Sequence, residues 1–235
     1  MKPDAYREMA ATEGSHWWFT GRRAILASLI ARLGLPEQAR ILELGCGTGG
    51  NLEMLARFGE VAAMESDDAA RAIALEKTGG RFDIRAGRCP ERIPFAGQRF
   101  DLVCMFDVLE HIDEDVATLE AVRGLLGTRG RALITVPAYR WMWSKHDEFL
   151  HHKRRYTAPE LEKKARSAGL AVATLSYFNT LLFPLAAAAR LLNLEGRDTP
   201  SVPVNRLFHW LFSAERFVAG RVALPFGVSL LAVLR

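Results

Sequence analysis

The sequence predicts an α/β fold: a mostly parallel seven-stranded sheet with helices on both faces and an antiparallel last strand. Three observations predict it. Strand-like runs alternate with helix-length segments along most of the 235 residues. The central runs, above all Asp101 to Phe106 and Arg131 to Val136, are apolar on both faces, as strands covered by helices on each side must be. The first run, Arg40-Ile41-Leu42-Glu43-Leu44, passes directly into a glycine-rich turn at the carboxyl end of a strand, where open α/β sheets bind their ligands.

The elements follow in order. Residues 4 to 33 read as two helices separated near Gly14 and Gly21. The second, Arg22 to Leu33, carries Ile25, Leu26, Leu29, Ile30 and Leu33 at helical spacing, and Gly34 and Pro36 end it. After the first strand, Asn51 to Phe58 reads as a helix. Val61 to Met64 is a second strand that ends at Glu65, and Asp67 or Asp68 caps a helix to about Lys77. Phe82 to Arg85 is a weak third strand and Asp101 to Phe106 a fourth. A helix is expected over roughly 113 to 126, then a fifth strand, Arg131 to Val136, stopped by Pro137. A long aromatic loop reaches Tyr156. Thr157 caps a helix with Pro159 in its first turn, ending at Gly169. Leu170 to Tyr177 is a sixth strand, helices fill about 180–193 and 204–221, and Gly227 to Leu234 is the last strand. The organisation expected is an N-terminal helical lid over 1–37 and a core over 38–235, with a helical insertion at about 178–224.

Bulk properties narrow the class. The formal charge of +4 permits an anionic partner without demanding one. With a single basic patch and no nucleic-acid module, nucleic acid is not an expected partner. Cys46, Cys89 and Cys104 match no zinc or redox spacing; Cys46 and Cys104, beside apolar strand-like runs, read as reduced packing residues and suggest a cytoplasmic setting. The charged N-terminus lacks a signal-peptide core, and no run approaches the ~18–20 apolar residues that span a bilayer.

The turn reads Glu43-Leu44-Gly45-Cys46-Gly47-Thr48-Gly49-Gly50. Glycines let the backbone turn sharply and approach a ligand. Glu65 ends the next strand, where a carboxylate can accept from both ribose hydroxyls. An adenosine-containing cofactor is expected. Gly45, Gly47 and Gly50 also satisfy the dinucleotide pattern, so the turn alone leaves a nicotinamide cofactor open. Two details favour S-adenosylmethionine. Glu43 is suited to the cationic methionine end, and Glu53 in the next helix is a poor neighbour for a pyrophosphate.

The segments ILELGCGTGGN, VAAMESD and RIPFAGQRFDLVCMFDVLEHIDE resemble the cofactor motifs of class I S-adenosylmethionine-dependent methyltransferases, over about residues 38 to 136. HWWFTGRR and WSKHDEFLHHKRRYTAPEL are similar to a bacterial subgroup of that family. The resemblance implies a Rossmann-like sandwich with S-adenosyl-L-methionine as cofactor. It brings the backbone around Gly45 and Gly47 to the cofactor, with Glu65 on its ribose and Asp107 near its methionine portion; Cys46, Gly49, Ser66 and Val108 are also expected among the cofactor-binding residues. Arg88 and Cys89 would flank the adenine. Many relatives carry an aspartate where Arg88 stands, and arginine cannot accept a hydrogen bond, so the adenine contact must come from elsewhere.

Glu110 and His111 follow Asp107 by three and four residues, which places all three on one face if a helix begins there. Three uses are open: local hydrogen bonds fixing the junction, His111 as a base or substrate orienter, and a divalent metal on Asp107, Glu110 and His111. The last is also implied by the resemblance, through metal-dependent ubiquinone-pathway O-methyltransferases; no metal is assigned on the sequence. His146 is a second candidate base.

On the substrate side stand Trp18, in an aromatic cluster with His16, Trp17 and Phe19, then Tyr139 and Trp143 after the fifth strand, and His151, Arg155 and Tyr156 in the basic run HHKRRY. The cluster reads as a packing staple or a lid, the run as a solvated approach or an anion clamp. The apolar stretches 178–192 and 204–218, punctuated by Arg190, Arg197, Arg206, Arg216 and Arg221, suggest a greasy cavity or peripheral membrane contact. The expected function is methyl transfer to a small, lipophilic or anionic acceptor, oxygen before nitrogen or carbon. The alternatives are a nicotinamide-dependent oxidoreductase and a non-catalytic S-adenosylmethionine-binding protein.

Overall fold

The computed structural model describes residues 3–192 and 200–235, so Arg197 lies outside the described residues. The strands are β1 (Ala39–Leu44), β2 (Gly59–Glu65), β3 (Asp83–Ala86), β4 (Phe100–Phe106), β5 (Leu126–Pro137), β6 (Val172–Phe178) and β7 (Ser229–Leu234). They form one sheet in the order β3-β2-β1-β4-β5-β7-β6. Every pairing from β3 through β5 is parallel, and β7 runs antiparallel between β5 and β6. The expected sheet is therefore present, and the chain reverses its order of strand addition between β1 and β4. That switch point opens a crevice at the carboxyl ends of both strands.

Strand pleating sorts the core into two layers. On β4, Leu102, Cys104 and Phe106 face one side and Val103 and Met105 the other. The first side packs on α2 (Trp17–Ile30), α3 (Leu52–Leu55), Ala74 of α4 (Asp68–Lys77) and Phe212 of α9 (Val202–Ala214). The second packs on Leu119 and Val122 of α5 (Asp115–Leu125) and Leu161 and Ala165 of α7 (Ala158–Ser167). The remaining helices are α1 (Pro3–Thr12), α6 (Lys145–Phe149) and α8 (Phe183–Leu191). The expected caps are present: Asp67 accepts from the Ala69 and Ala70 amides, and Thr157 and Glu160 form a capping box.

Two elements differ from the sequence reading. Helix α2 begins at Trp17, capped by His16, so Gly21 is inside it rather than before it. A Cβ at Gly21 would lie 2.6 Å from Phe212 Cδ1, so the missing side chain lets α9 approach α2 closely. Strand β5 begins at Leu126 rather than Arg131, because its ladder with β4 shifts: Phe100 faces Leu126 but Leu102 faces Arg131. The polar run between has no period-two pattern, and only its partner strand makes it extended. Of the segment expected as a lid, α2 is built into the core through buried Ile25, Leu26 and Ile30, and only α1 lies over the glycine turn.

Phe212 is the keystone of the α2–α9 contact. Its ring stacks on Trp18 at 5.1 Å and on Phe178 at 6.0 Å. Phe212→Ala is expected to cost about 3–5 kcal/mol of unfolding free energy, read from the denaturation midpoint; a loss below about 1 kcal/mol would remove it from that role.

Candidate active site

At the end of β1 the chain turns through Gly45, Gly47 and Gly49, with φ of +75°, +55° and +78°. A Cβ on Gly45 would lie 2.7 Å from Val108 Cγ2, so the turn after β1 presses directly on the chain leaving β4. The Gly45 and Cys46 amides donate to the Met64 carbonyl at 2.8 and 3.1 Å, tying the cradle to β2. Glu65 is buried at the end of β2. Its Oε2 accepts from the Gly47 amide at 2.8 Å, and its Oε1 from the Ser66 and Asp67 amides at 2.8 and 2.9 Å. The carboxylate is thus fixed at the lip of the cradle, with Ser66 exposed beside it.

Behind the turn is a polar cluster in an otherwise apolar sheet. Glu43 is buried, and its Oε1 accepts from Asn51 Nδ2 at 2.8 Å. Burial pushes its carboxyl up to about 8, against the opposing pull of the Asn51 bond and of Arg22. Arg22, buried on α2, forms an ion pair with Oδ2 of the half-buried Asp107. Asp107 has φ of +57°; its amide donates to the Thr135 carbonyl at 3.0 Å, and its Oδ1 accepts from Thr135 Oγ1 at 3.0 Å. Neighbouring β5 therefore holds Asp107 in this left-handed conformation.

Arg22 Nε, Glu43 Oε2 and Asn51 Oδ1 are buried without a hydrogen-bond partner among the described residues. Unsatisfied buried groups of both signs beside a glycine cradle fit the zwitterionic methionine end of S-adenosylmethionine: carboxylates for its ammonium, a guanidinium for its carboxylate. Helix α1 covers the cradle. Met9 lies over Gly47, and burial, reinforced by Glu65 and Asp67, pushes the Tyr6 phenol up to about 12. Just beyond α1, Glu13 is buried and accepts from Thr48 Oγ1 at 2.9 Å and from Lys77 Nζ.

Asp107, Glu110 and His111 do not share a helical face. Helix α5 starts only at Asp115, and Glu110 and His111 sit in a tight 3-10 turn over Leu109–His111. Asp107 turns toward Arg22, while Glu110 turns toward His152, whose Nε2 is 4.0 Å from Glu110 Oε1. Glu110 is fully buried with neither carboxyl oxygen bonded among the described residues, and burial, reinforced by Asp107, raises its pKa far above the carboxylate range. The His111 ring lies 4.7 Å from the His152 ring, and burial with His152 lowers its pKa to about 4. The metal reading that the sequence left open on Asp107, Glu110 and His111 does not find those three together; the residues whose ligand atoms lie within 4.8 Å of one another are Glu110, His111 and His152.

The basic run is not an anion clamp. Arg155 is buried: its Nε and Nη2 bond the two oxygens of Asp147 at 2.8 and 3.0 Å, and its Nη1 bonds the Ala138 carbonyl at 3.0 Å. Lys153 pairs with Asp113, and Arg154 Nη1 with Asp115 at 2.7 Å. Tyr156 is buried and donates to Asp115 Oδ2 at 3.0 Å. His152 Nδ1 meets Asp147 Oδ1 at 2.9 Å. Burial would raise the Asp147 carboxyl, but the His152 and Arg155 bonds outweigh it and hold it well below the usual carboxylate range.

The other expected residues separate. Trp18 is stacked in the α2–α9 contact, which makes it a packing residue. Tyr139 stacks on Tyr177 at 5.1 Å at the mouth of the crevice, whereas Trp143, His146 and His151 are exposed. Arg88 is exposed and only its backbone pairs, with Arg92. Cys46, Cys89 and Cys104 are buried free thiols, each pushed up by burial, as packing residues are. Arg22, Asn51, Asp147 and His152 enter the site unforeseen. Arg22 lies within HWWFTGRR and His152 within HHKRRY, but their partners are distant in sequence.

Fold and cradle together define a Rossmann-like nucleotide-binding domain of the S-adenosylmethionine type. A family model described as a methyltransferase domain matches residues 18–175, and the chain belongs to that family, with S-adenosylmethionine as its cofactor. It is 36% identical over 99 residues to a ubiquinone biosynthesis O-methyltransferase of Cereibacter sphaeroides, covering 40% of this chain and 39% of the relative. A protein of the same name from Xanthomonas axonopodis pv. citri is 29% identical over 159 residues, 60% of this chain and 66% of the relative. The chain thus matches about two-fifths of the first relative's length and about two-thirds of the second's. In fold it resembles an S-adenosylmethionine-dependent methyltransferase from Clostridium acetobutylicum ATCC 824, with a TM-score of 0.60 at 12% identity over 91% of this chain and 89% of that one.

The raised Glu43 carboxyl makes a measurable prediction. Near pH 7 the free protein keeps Glu43 protonated, and a bound ammonium lowers its pKa. Binding of S-adenosylmethionine is therefore expected to release up to about one proton, read from calorimetry in buffers of different ionisation enthalpy. Glu43→Gln should abolish the release. The same shift makes Glu43 a group whose stabilising effect is full below the unfolded carboxylate range and is lost as pH rises through about 8.

Proposed function

We propose that this protein transfers the methyl group of S-adenosylmethionine to an oxygen of a small, lipophilic acceptor. The observation that carries this reading is the unsatisfied polar cluster of Arg22, Glu43 and Asn51 beside the glycine cradle, with the His111 imidazole four residues beyond Asp107 in the turn that follows β4. Bound S-adenosylmethionine supplies an already activated methyl group on a sulfonium. The chain's own part is to bind, align and exclude water. Glu65 receives the ribose, Arg22 and Glu43 orient the amino-acid end, and α1 closes the cradle. The neutral His111 ring takes the proton of the acceptor hydroxyl. Tyr139 and Tyr177 form an aromatic wall against which a flat or apolar acceptor can lie. The names of the curated relatives support oxygen as the acceptor atom.

Calorimetry with S-adenosylmethionine, followed by a radiolabelled methyl-transfer screen of phenolic and lipid-like acceptors, tests this. Glu65→Ala is expected to weaken cofactor binding tenfold or more, by about 1.5–3 kcal/mol. His111→Asn is expected to keep cofactor affinity and to lower turnover by roughly 10²–10⁴. Tight cofactor binding with no transfer to any acceptor would favour a non-catalytic binding protein, and unchanged turnover in His111→Asn would remove the base.

A second reading of the same pocket rests on the convergence of Glu110, His111 and His152. Asp147 orients His152 through Nδ1, as carboxylates orient metal-bound imidazoles, and leaves Nε2 facing Glu110. A divalent cation held by these three would supply Lewis acidity to the acceptor oxygen. Metal analysis of the purified protein separates the readings: about one equivalent, lost in His152→Ala together with activity, favours the cation, and turnover unaffected by chelators favours the imidazole.

A further inference from the structure

The described residues between β6 and β7, 179–192 and 200–228, expose many large apolar side chains. Helix α8 reads FPLAAAARL, yet none of its residues is buried. Leu191 is 73% exposed, and Leu181, Leu185 and Leu192 are each more than half exposed. On α9 the inner face packs Phe208, Leu211 and Phe212 against the core, while the outer face carries Val202, Arg206, Leu207 and Trp210. Trp210 is 77% exposed, and Phe217 and Val222 extend the surface. Glu215, just after α9, binds the amides of Asn179, Thr180 and Leu181, so the end of α9 adjoins the chain that enters α8; scattered exposed apolar residues are ordinary, but this many large ones on two helices and the chain after them mark an interaction surface.

Charge identifies what covers it. Arg206, Arg216 and Arg221 are exposed and Arg190 half-buried, and none is ion-paired with a carboxylate among the described residues. The one described carboxylate between 178 and 228 is Glu215. It is buried and occupied by the amides of Asn179, Thr180 and Leu181 at 2.7, 2.6 and 3.0 Å. The surface therefore combines leucines, an indole and guanidinium groups with no exposed negative charge among the described residues. Arginine stems lie along apolar surface while their heads reach phosphate, and tryptophan favours the headgroup level. A second copy of the chain is a poor fit, because a two-fold contact would set these cations against one another. No described helix is long and apolar enough to cross a membrane, so the contact lies in the interface plane.

We propose that α8, the outer face of α9 and the chain from Arg216 to Val222 dock this protein on an anionic phospholipid bilayer. The surface is continuous with the mouth of the active site. Phe183, at the start of α8, lies 5.6 Å from Tyr139 and 6.2 Å from the half-exposed Trp141, both on the loop that leaves β5 at the crevice. Docking in this orientation turns the crevice mouth toward the lipid, where an apolar acceptor partitions. The inference stands on the surface alone and holds whichever acceptor is methylated.

The test is co-sedimentation of the full chain with phosphatidylcholine vesicles, with and without phosphatidylglycerol, at low and high salt. Binding is expected to require the anionic lipid and to weaken with salt. Arg206→Glu with Arg216→Glu is expected to reduce partitioning by at least about 25-fold, about fivefold for each arginine removed, and Leu207→Asp to reduce it comparably. Cofactor affinity, measured in parallel, should be unchanged in all variants and shows that they are folded. Absence of vesicle binding, binding indifferent to lipid charge and to these variants, or a salt-stable dimer by light scattering that the same variants dissociate would each overturn the proposal.

Discussion

The structure depends on the ion pair between buried Arg22 and half-buried Asp107. A guanidinium inside a protein requires an anion at hydrogen-bonding distance, or its desolvation is uncompensated. That requirement ties α2 to the carboxyl end of β4, across the switch point of the sheet. It also sets the orientation of Asp107, whose left-handed backbone is held from the other side by Thr135. With α2 so placed, the adjoining face formed by Trp18 and Gly21 receives α9 through Phe212. Cofactor cradle and C-terminal helices are thus coupled through one helix.

A second ionic cluster organises the far side of the site. Asp147 receives Arg155 and His152, and Asp115 receives Arg154, Lys164 and Tyr156. These contacts fold the run after β5 back beneath the turn that carries Glu110 and His111. Of the cations that resemble a surface patch in sequence, Arg155 is an internal strut, Arg154 is half-buried against Asp115, and Lys153 pairs with Asp113 at the surface. Removing one partner of a buried pair such as Arg155 with Asp147 leaves an unpaired buried charge. Orientation of His152 by Asp147 determines which ring nitrogen faces Glu110.

Much of this was legible in the sequence. Order, type and approximate bounds of the seven strands follow from local apolar period and from punctuation by glycine and proline, which act within a few residues. The cradle residues Gly45, Gly47 and Glu65 were legible for the same reason: strand, turn and acidic strand end are adjacent in the chain. The readings of Trp18 and Arg155 as substrate residues went astray because a side chain's role depends on what lies across from it. Trp18 faces Phe178 and Phe212, and Arg155 faces Asp147 and the Ala138 carbonyl. The reading of Asp107, Glu110 and His111 as one face failed on backbone geometry, since a helical face requires a helix and Asp107 is left-handed.

The sequence by itself determined the α/β class, the site of the cofactor turn and the family, because each rests on short-range pattern. Tertiary structure alone decided that Arg22 and His152 join the candidate site, that Lys153, Arg154 and Arg155 pair with carboxylates of the same chain, and that α8 and the outer face of α9 lack a covering layer among the described residues. Those outcomes depend on pairings between residues far apart in the chain, such as Arg22 with Asp107, and on which face of a helix is already occupied by the core. Charge compensation and packing are properties of neighbours in space, and neighbours in space exist only once the sheet has formed.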